Sequence, residues 1–126
     1  MTRTHDKVRH APEGKGDTNY TPMSAARGVE DAIKTFEGRW KLEILFHLFG
    51  GKVLRFSELE RAIPEISQKM LTQQLRQLET AGMVRRTIHP EVPPKVEYAL
   101  TAWAQLLCPA LDALLKWSEA RGGEDR

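Results

Sequence analysis

A chain of 126 residues, 40% hydrophobic and 29% charged, holds apolar material for one modest core and too little for two independent domains. No apolar run approaches the roughly 20 residues of a membrane-spanning helix, and the opening MTRTHDKVRHAPEGKGDTNY lacks the hydrophobic stretch of a secretory signal, so the expected location is the cytoplasm. Cys108 is the single cysteine, which excludes an internal disulfide and a multi-cysteine zinc site. The formal net charge is only +2, yet Lys plus Arg against Asp plus Glu number 6 and 6 over residues 1–38, 10 and 7 over 39–97, and 3 and 4 over 98–126. An anionic partner is therefore expected at the middle segment.

Residues 1–26 carry Pro12, Gly14, Gly16, Asn19 and Pro22 and few large apolar side chains, and read as a flexible tail. Order is expected from RGVEDAIKTFEG, where Val29, Ile33 and Phe36 fall at helical spacing and Gly38 closes the helix. RWKLEILFHLFGG follows with so wide an apolar surface that it reads as a central, buried helix stopped by Gly50 and Gly51. VLRF is long enough only for a short extended piece. SELERAIP opens a helix in which Ser57 and Glu60 match a capping box and Pro64 marks the end.

In SQKMLTQQLRQLETAG, Ser67 matches an N-cap and Gly82 a stop, while Leu71, Leu75 and Leu78 share one face. Lys69, Gln73, Arg76 and Thr80 lie opposite, with Thr72 at the margin. MVRRTIHP and KVEYAL alternate apolar and polar residues around EVPP and read as a two-stranded hairpin. Thr101 caps a last helix over AWAQLLCPALDALLKWSEA, in which Pro109 is expected to introduce a bend. Residues 121–126 read as a flexible end.

A helix, a tight turn, a second helix with a donor-rich outer face and a hairpin directly behind it follow the order of a winged helix–turn–helix. The chemistry suits duplex DNA: Arg or Lys pairs with guanine, Gln with adenine, and Thr contacts the thymine methyl. The candidate DNA-binding residues are Ser67, whose helix end offers free amides to a phosphate, then Lys69, Thr72, Gln73 and Arg76, and in the hairpin Arg85, Arg86 and Lys95 beside His89. Arg85 and Arg86 alternate across one strand, so only one of them faces DNA, and the pattern leaves open which.

GRWKLEILFHL, RFSELERAIPEISQKMLTQQLRQLETAGMVRRTIHPEVPPKVEYALT and LLCPALDALLKW resemble the HxlR-type winged-helix transcriptional regulators of bacteria and archaea, over roughly residues 29–117. The resemblance implies a mostly α fold with a small β-hairpin wing (α+β), a recognition helix over Ser67–Ala81, a wing over Val84–Leu100, and a domain spanning 27–120. It also implies a homodimer, joined through helices at both ends, on a pseudo-palindromic double-stranded DNA operator at the nucleoid. Val29, Ile33, Phe36, Trp103, Leu107, Leu111, Leu114 and Trp117 supply more apolar surface than one winged domain covers, and are the expected dimer interface. Many members open the domain with Cys-Pro, used in some for redox sensing; the matching positions here are Arg27 and Gly28, so a sensor built on that thiol is not expected.

The rival reading is a winged-helix protein-interaction module, which would expose aromatic or Met anchors on the outer face of residues 69–80 in place of Lys, Thr, Gln and Arg. Response to a small-molecule effector is compatible with the regulator reading, but the sequence names none. Trp40, Trp103 and Trp117 at helical spacing read as packing rather than as an effector cavity. His5, His10, His47 and His89 show no metal-ligand spacing, there is no phosphate-binding glycine loop, and no nucleophile, base and orienting group come together, so neither a metal, a cofactor nor an enzyme is expected. Cys108, in an apolar stretch, reads as a small packed hydrophobe, with an intersubunit disulfide across the two-fold axis of the expected dimer as the alternative.

Overall fold

The structure, a computed structural model, describes residues 19–124, with side chains over 19–121; the expected tail before residue 19 and the last two residues lie outside them. In chain order the elements are α1 (Pro22–Phe36), α2 (Arg39–Leu48), β1 (Leu54–Arg55), α3 (Phe56–Ala62), α4 (Gln68–Thr80), β2 (Val84–His89), β3 (Lys95–Leu100), α5 (Ala102–Gln105) and α6 (Leu107–Glu124). They divide into two compact units, one ending at Thr35 and one starting at Phe36. No helix among the described residues is long and apolar enough to cross a membrane.

In the first unit the described helix is α1 as far as Thr35. It begins at Pro22 instead of near Arg27, so part of the stretch expected as tail is helical. Thr21 and Ser24 cap one another: the Ser24 amide donates to Thr21 Oγ1 and the Thr21 amide to Ser24 Oγ, both at 3.0 Å. Pro22 sits at the first helical position, where its missing N–H costs nothing.

The second unit is the winged domain. Its sheet runs β1-β3-β2, all antiparallel. Ile44, Leu45 and Leu48 of α2 meet Leu59 and Ile63 at α3, Leu71, Leu75 and Leu78 of α4, and Val84 and Leu100 of the wing in one buried cluster. Each fully buried Leu or Ile stabilises the fold by about 1.5–3 kcal/mol relative to exposure. Gly50 and Gly51, at φ +86° and +76°, turn the chain out of α2 as expected.

The cap of α3 lies two residues earlier than the Ser57 expectation. Arg55 is held extended by pairing with Glu97 across β1 and β3, so the helix starts at once after it. The Arg55 amide then donates to Glu58 Oε1 at 2.8 Å, placing Ser57 within the first turn. Ile63 and Ile66 are buried at either end of the turn leading to α4, joined by Ile66 N–H to Ile63 carbonyl at 3.1 Å.

Pro109 does not bend one long helix; the helix is interrupted before it. Without an N–H, Pro109 cannot bond the Gln105 carbonyl, and its ring crowds that carbonyl. Accordingly α5 ends at Gln105 and α6 restarts at Leu107, with Pro109 in its first turn.

Candidate nucleic-acid interface

The local chemistry of α4 sets its ends firmly. Ser67 Oγ accepts from the Met70 amide at 3.0 Å. At the far end Gly82, at φ +80°, lets its own amide reach the Glu79 carbonyl at 3.0 Å and that of Met83 the Leu78 carbonyl at 2.9 Å. This is the paired closure of a Schellman motif, with buried Met83 and Leu78 as its apolar contact. Thr101 welds the wing base to the same corner: its hydroxyl donates to the Gly82 carbonyl at 2.8 Å, and its amide to the Met83 carbonyl at 3.0 Å.

With Leu71, Leu75 and Leu78 turned inward, Gln68, Lys69, Thr72, Gln73, Arg76 and Gln77 share one continuous outer surface. Lys69, Gln73 and Arg76 are exposed and hold no hydrogen bond or ion pair among the described residues. Thr72 is less free, since its hydroxyl donates to the Gln68 carbonyl at 2.9 Å. Ser67 is likewise engaged by its cap.

The wing separates the two arginines. Pairing of Arg85 with Ala99 and of Arg86 with Tyr98 puts them on opposite faces of the sheet. Arg86 shares the face of buried Val84 and Leu100, and its Nε donates to Glu79 Oε1 on the last turn of α4 at 3.4 Å. Tyr98, half-buried beside it, has its hydroxyl pKa raised by burial, against the opposing charges of Arg86 and Arg76. Arg85 lies on the other face with Thr87, His89, Lys95 and Glu97.

On that face Glu97 is the hub. It accepts from His89 Nε2 at 2.7 Å and lies 3.8 Å from Lys95 Nζ. The His89 hydrogen bond, followed by the charges of Lys95 and Arg55, outweighs partial desolvation and lowers the Glu97 pKa. Lys95 is thus partly committed within the wing, whereas Arg85 holds no such partner among the described residues.

The residues expected at a dimer interface fall into two groups. Trp103, Leu114 and Trp117 are exposed in the winged unit, with Leu106 and Leu115 beside them in sequence. On α1, Val29 and Ile33 are exposed as well. Leu111, however, is buried in the protomer, and Phe36 and Leu107 pack against the same core. The three tryptophans part in the same way: Trp40 packs against the core, while Trp103 and Trp117 do not. Cys108 is half-buried against the core.

The sequence reading passed over three groups. Glu79 ties α4 to the wing; Arg55 faces Glu97; Lys41 of α2 donates to Gln74 Oε1 at 2.9 Å and Gln77 Oε1 at 2.6 Å on α4. The first two depend on sheet register and long-range approach. Lys41 left a trace in the sequence, as a charge heading the apolar stripe of α2.

A helix, a tight turn, a second helix with a free donor-rich face and a three-stranded sheet ending in a hairpin define a winged helix–turn–helix DNA-binding protein. A family model described as HxlR-like helix-turn-helix matches residues 35–125. An uncharacterized HTH-type transcriptional regulator of Methanothermobacter thermautotrophicus is 49% identical over 94 residues, 75% of this chain and 71% of the relative. YtcD of Bacillus subtilis, another HTH-type transcriptional regulator, is 49% identical over 89 residues, 71% of this chain and 70% of its own. Among solved structures, the redox regulator HypR in its reduced form superposes with a TM-score of 0.69 at 40% identity, covering 76% of this chain and 94% of that one. A transcriptional regulator of the MarR family from Enterococcus faecalis V583 gives 0.77 at 36% identity, covering 86% and 97%. The chain belongs to the HxlR-like helix-turn-helix family, and it is a DNA-binding transcriptional regulator.

Proposed function

We propose that the protein acts as a homodimer on a pseudo-palindromic operator, with α4 of each protomer in a major groove and the β2–β3 hairpin against the flanking backbone. The observation that carries this reading is the unpaired state of Lys69, Gln73 and Arg76 on the outer face of α4, next to a wing bearing Arg85, Arg86 and Lys95. Gln73 is the base reader, since its amide can donate and accept at once; Lys69, Arg76 and, on the wing face away from Glu79, Arg85 and Lys95 supply phosphate contacts, with Arg76 also able to reach guanine. Ser67 contributes by holding the amide end of α4 in shape, and Thr72 by its position at the margin. The exposed surface of Trp103, Leu114 and Trp117, with Val29 and Ile33 from α1, is assigned to the subunit interface.

Selection of bound duplexes from a random pool tests the operator directly. Enrichment of an inverted repeat is expected, with affinity falling along log salt by about 0.9 per phosphate contacted. Enrichment of a single, non-repeated site would refute the symmetric dimer, and a flat salt response would refute the cationic contacts.

A further inference from the structure

Lys41 occupies a position that helical geometry reserves for an apolar residue. It stands three, four and seven residues ahead of Ile44, Leu45 and Leu48, all buried, so its stem lies on the core-facing stripe of α2. The ammonium emerges at the flank of α4, where it donates to Gln74 Oε1 and Gln77 Oε1, one turn apart.

An ammonium has three donors and no acceptor, so both amides must turn their oxygens toward it. Gln74 directs its own NH2 back to Met70 Sδ at 3.4 Å. Gln77 instead lies on the outer surface with Gln73 and Arg76, and its NH2 holds no partner among the described residues. A free glutamine pairs with adenine by donating and accepting together. With its oxygen engaged by a cation, Gln77 offers donors, which match guanine N7 and O6, thymine O4 or adenine N7 alone, and it gives up the bidentate adenine pairing.

The other flank of α4 is braced as well, by Arg86 on Glu79. Two struts on opposite sides resist rotation of the helix about its axis, and a turn of about 20° would move every outward side chain by more than 1 Å at the radius of its tip. We infer that Lys41 is a positioning residue for base readout: it fixes the rotation of α4 and presents Gln77 as a hydrogen-bond donor. This rests on the proposal that α4 reads the major groove.

The test uses the full chain, a duplex enriched from a random pool by the unaltered protein, and a scrambled duplex of the same length. In Lys41→Met, affinity for the enriched duplex over the scrambled one should fall by about fivefold to tenfold, the worth of one base contact, with the salt slope unchanged. Lys41→Arg, which keeps the donor, should restore most of the ratio. The side-chain amide resonances of Gln74 and Gln77 should shift in free Lys41→Met protein. If the Met variant melts below the assay temperature, Lys41→Gln carries the same expectation. An unchanged ratio in a folded variant overturns the inference. So does an equal loss on both duplexes with a slope reduced by about 0.9, which would make Lys41 a phosphate contact. An unaltered protein without any preference would overturn groove reading itself and this inference with it; a preference that Lys41→Met leaves intact would overturn this inference alone.

Discussion

Replacing Trp117 with Ala is the sharpest test of the proposed subunit interface. Trp117 is 73% exposed and Leu114 54% exposed in the described chain. An indole offers about 150–250 Å² for burial, so an exposed fraction of this size leaves roughly 110–180 Å², worth about 3–4.5 kcal/mol at 25 cal/mol per Å² if fully covered. Incomplete packing and the residual Ala surface reduce this to about 2 kcal/mol, the scale of an interface hot spot. A two-fold interface contains the residue twice, so the dimer loses about 4 kcal/mol and its dissociation constant rises roughly a thousandfold. Protomer stability should barely move, because surface substitutions usually stay within about 0.5 kcal/mol. Leu111→Ala is the control of opposite kind: at 6% exposure it should cost the protomer about 2–5 kcal/mol. Cutting the chain after Leu100 would confuse the two effects, since it removes buried Ala104 and Leu111 together with the exposed tryptophans. Sedimentation equilibrium over a concentration series, with a thermal melt of each variant, separates them. A Trp117→Ala protein that dimerises as tightly as the parent would refute the assignment of this surface.

Gln73→Ala should cost about 1–3 kcal/mol on the selected operator and little on random DNA, by fluorescence anisotropy on both; equal losses would remove Gln73 from the base readers. Ser67→Ala deletes the cap on the Met70 amide and should lower unfolding free energy by about 0.5–2 kcal/mol in a denaturant titration, whereas no change would mean that solvent replaces the cap. For Glu97 the carboxyl lies below its ordinary 4.5, chiefly through the His89 hydrogen bond, so its contribution is present above that value and is lost as pH falls through the lower folded-state pKa. The melting temperature of the parent should thus exceed that of Glu97→Gln near neutral pH and converge with it in acid; a gap that widens in acid would reverse the assignment.

Much of the framework of the candidate interface was legible because it rests on interactions between near neighbours. Ser67, Gly82 and the Leu71–Leu75–Leu78 spacing define α4 through a cap, a left-handed glycine and one apolar face, and the structure places that helix over Gln68–Thr80. The alternation of MVRRTIHP and KVEYAL likewise marks the two strands that pair Val84 with Leu100 and His89 with Lys95. The start of α1 is equally local, since Thr21, Pro22 and Ser24 together form its cap and first turn.

What tertiary structure alone decided are the features in which distant segments compete for the same groups. Ser57 is as good a cap by type as Ser67, but the pairing of Arg55 with Glu97 begins α3 before Ser57 can act. Arg85 and Arg86 are equivalent in the sequence until the register with β3 sends them to opposite faces and gives Arg86 to Glu79. Leu111 and Trp117 belong to the same apolar run, yet packing of α6 buries one and leaves the other to solvent. The sequence therefore determined which elements form and what chemistry α4 carries, because caps, glycines and periodicity act over a few residues. The burial of each side chain and the pairing of each cation were decided only when the helices and sheet met, because those depend on approach between segments far apart along the chain.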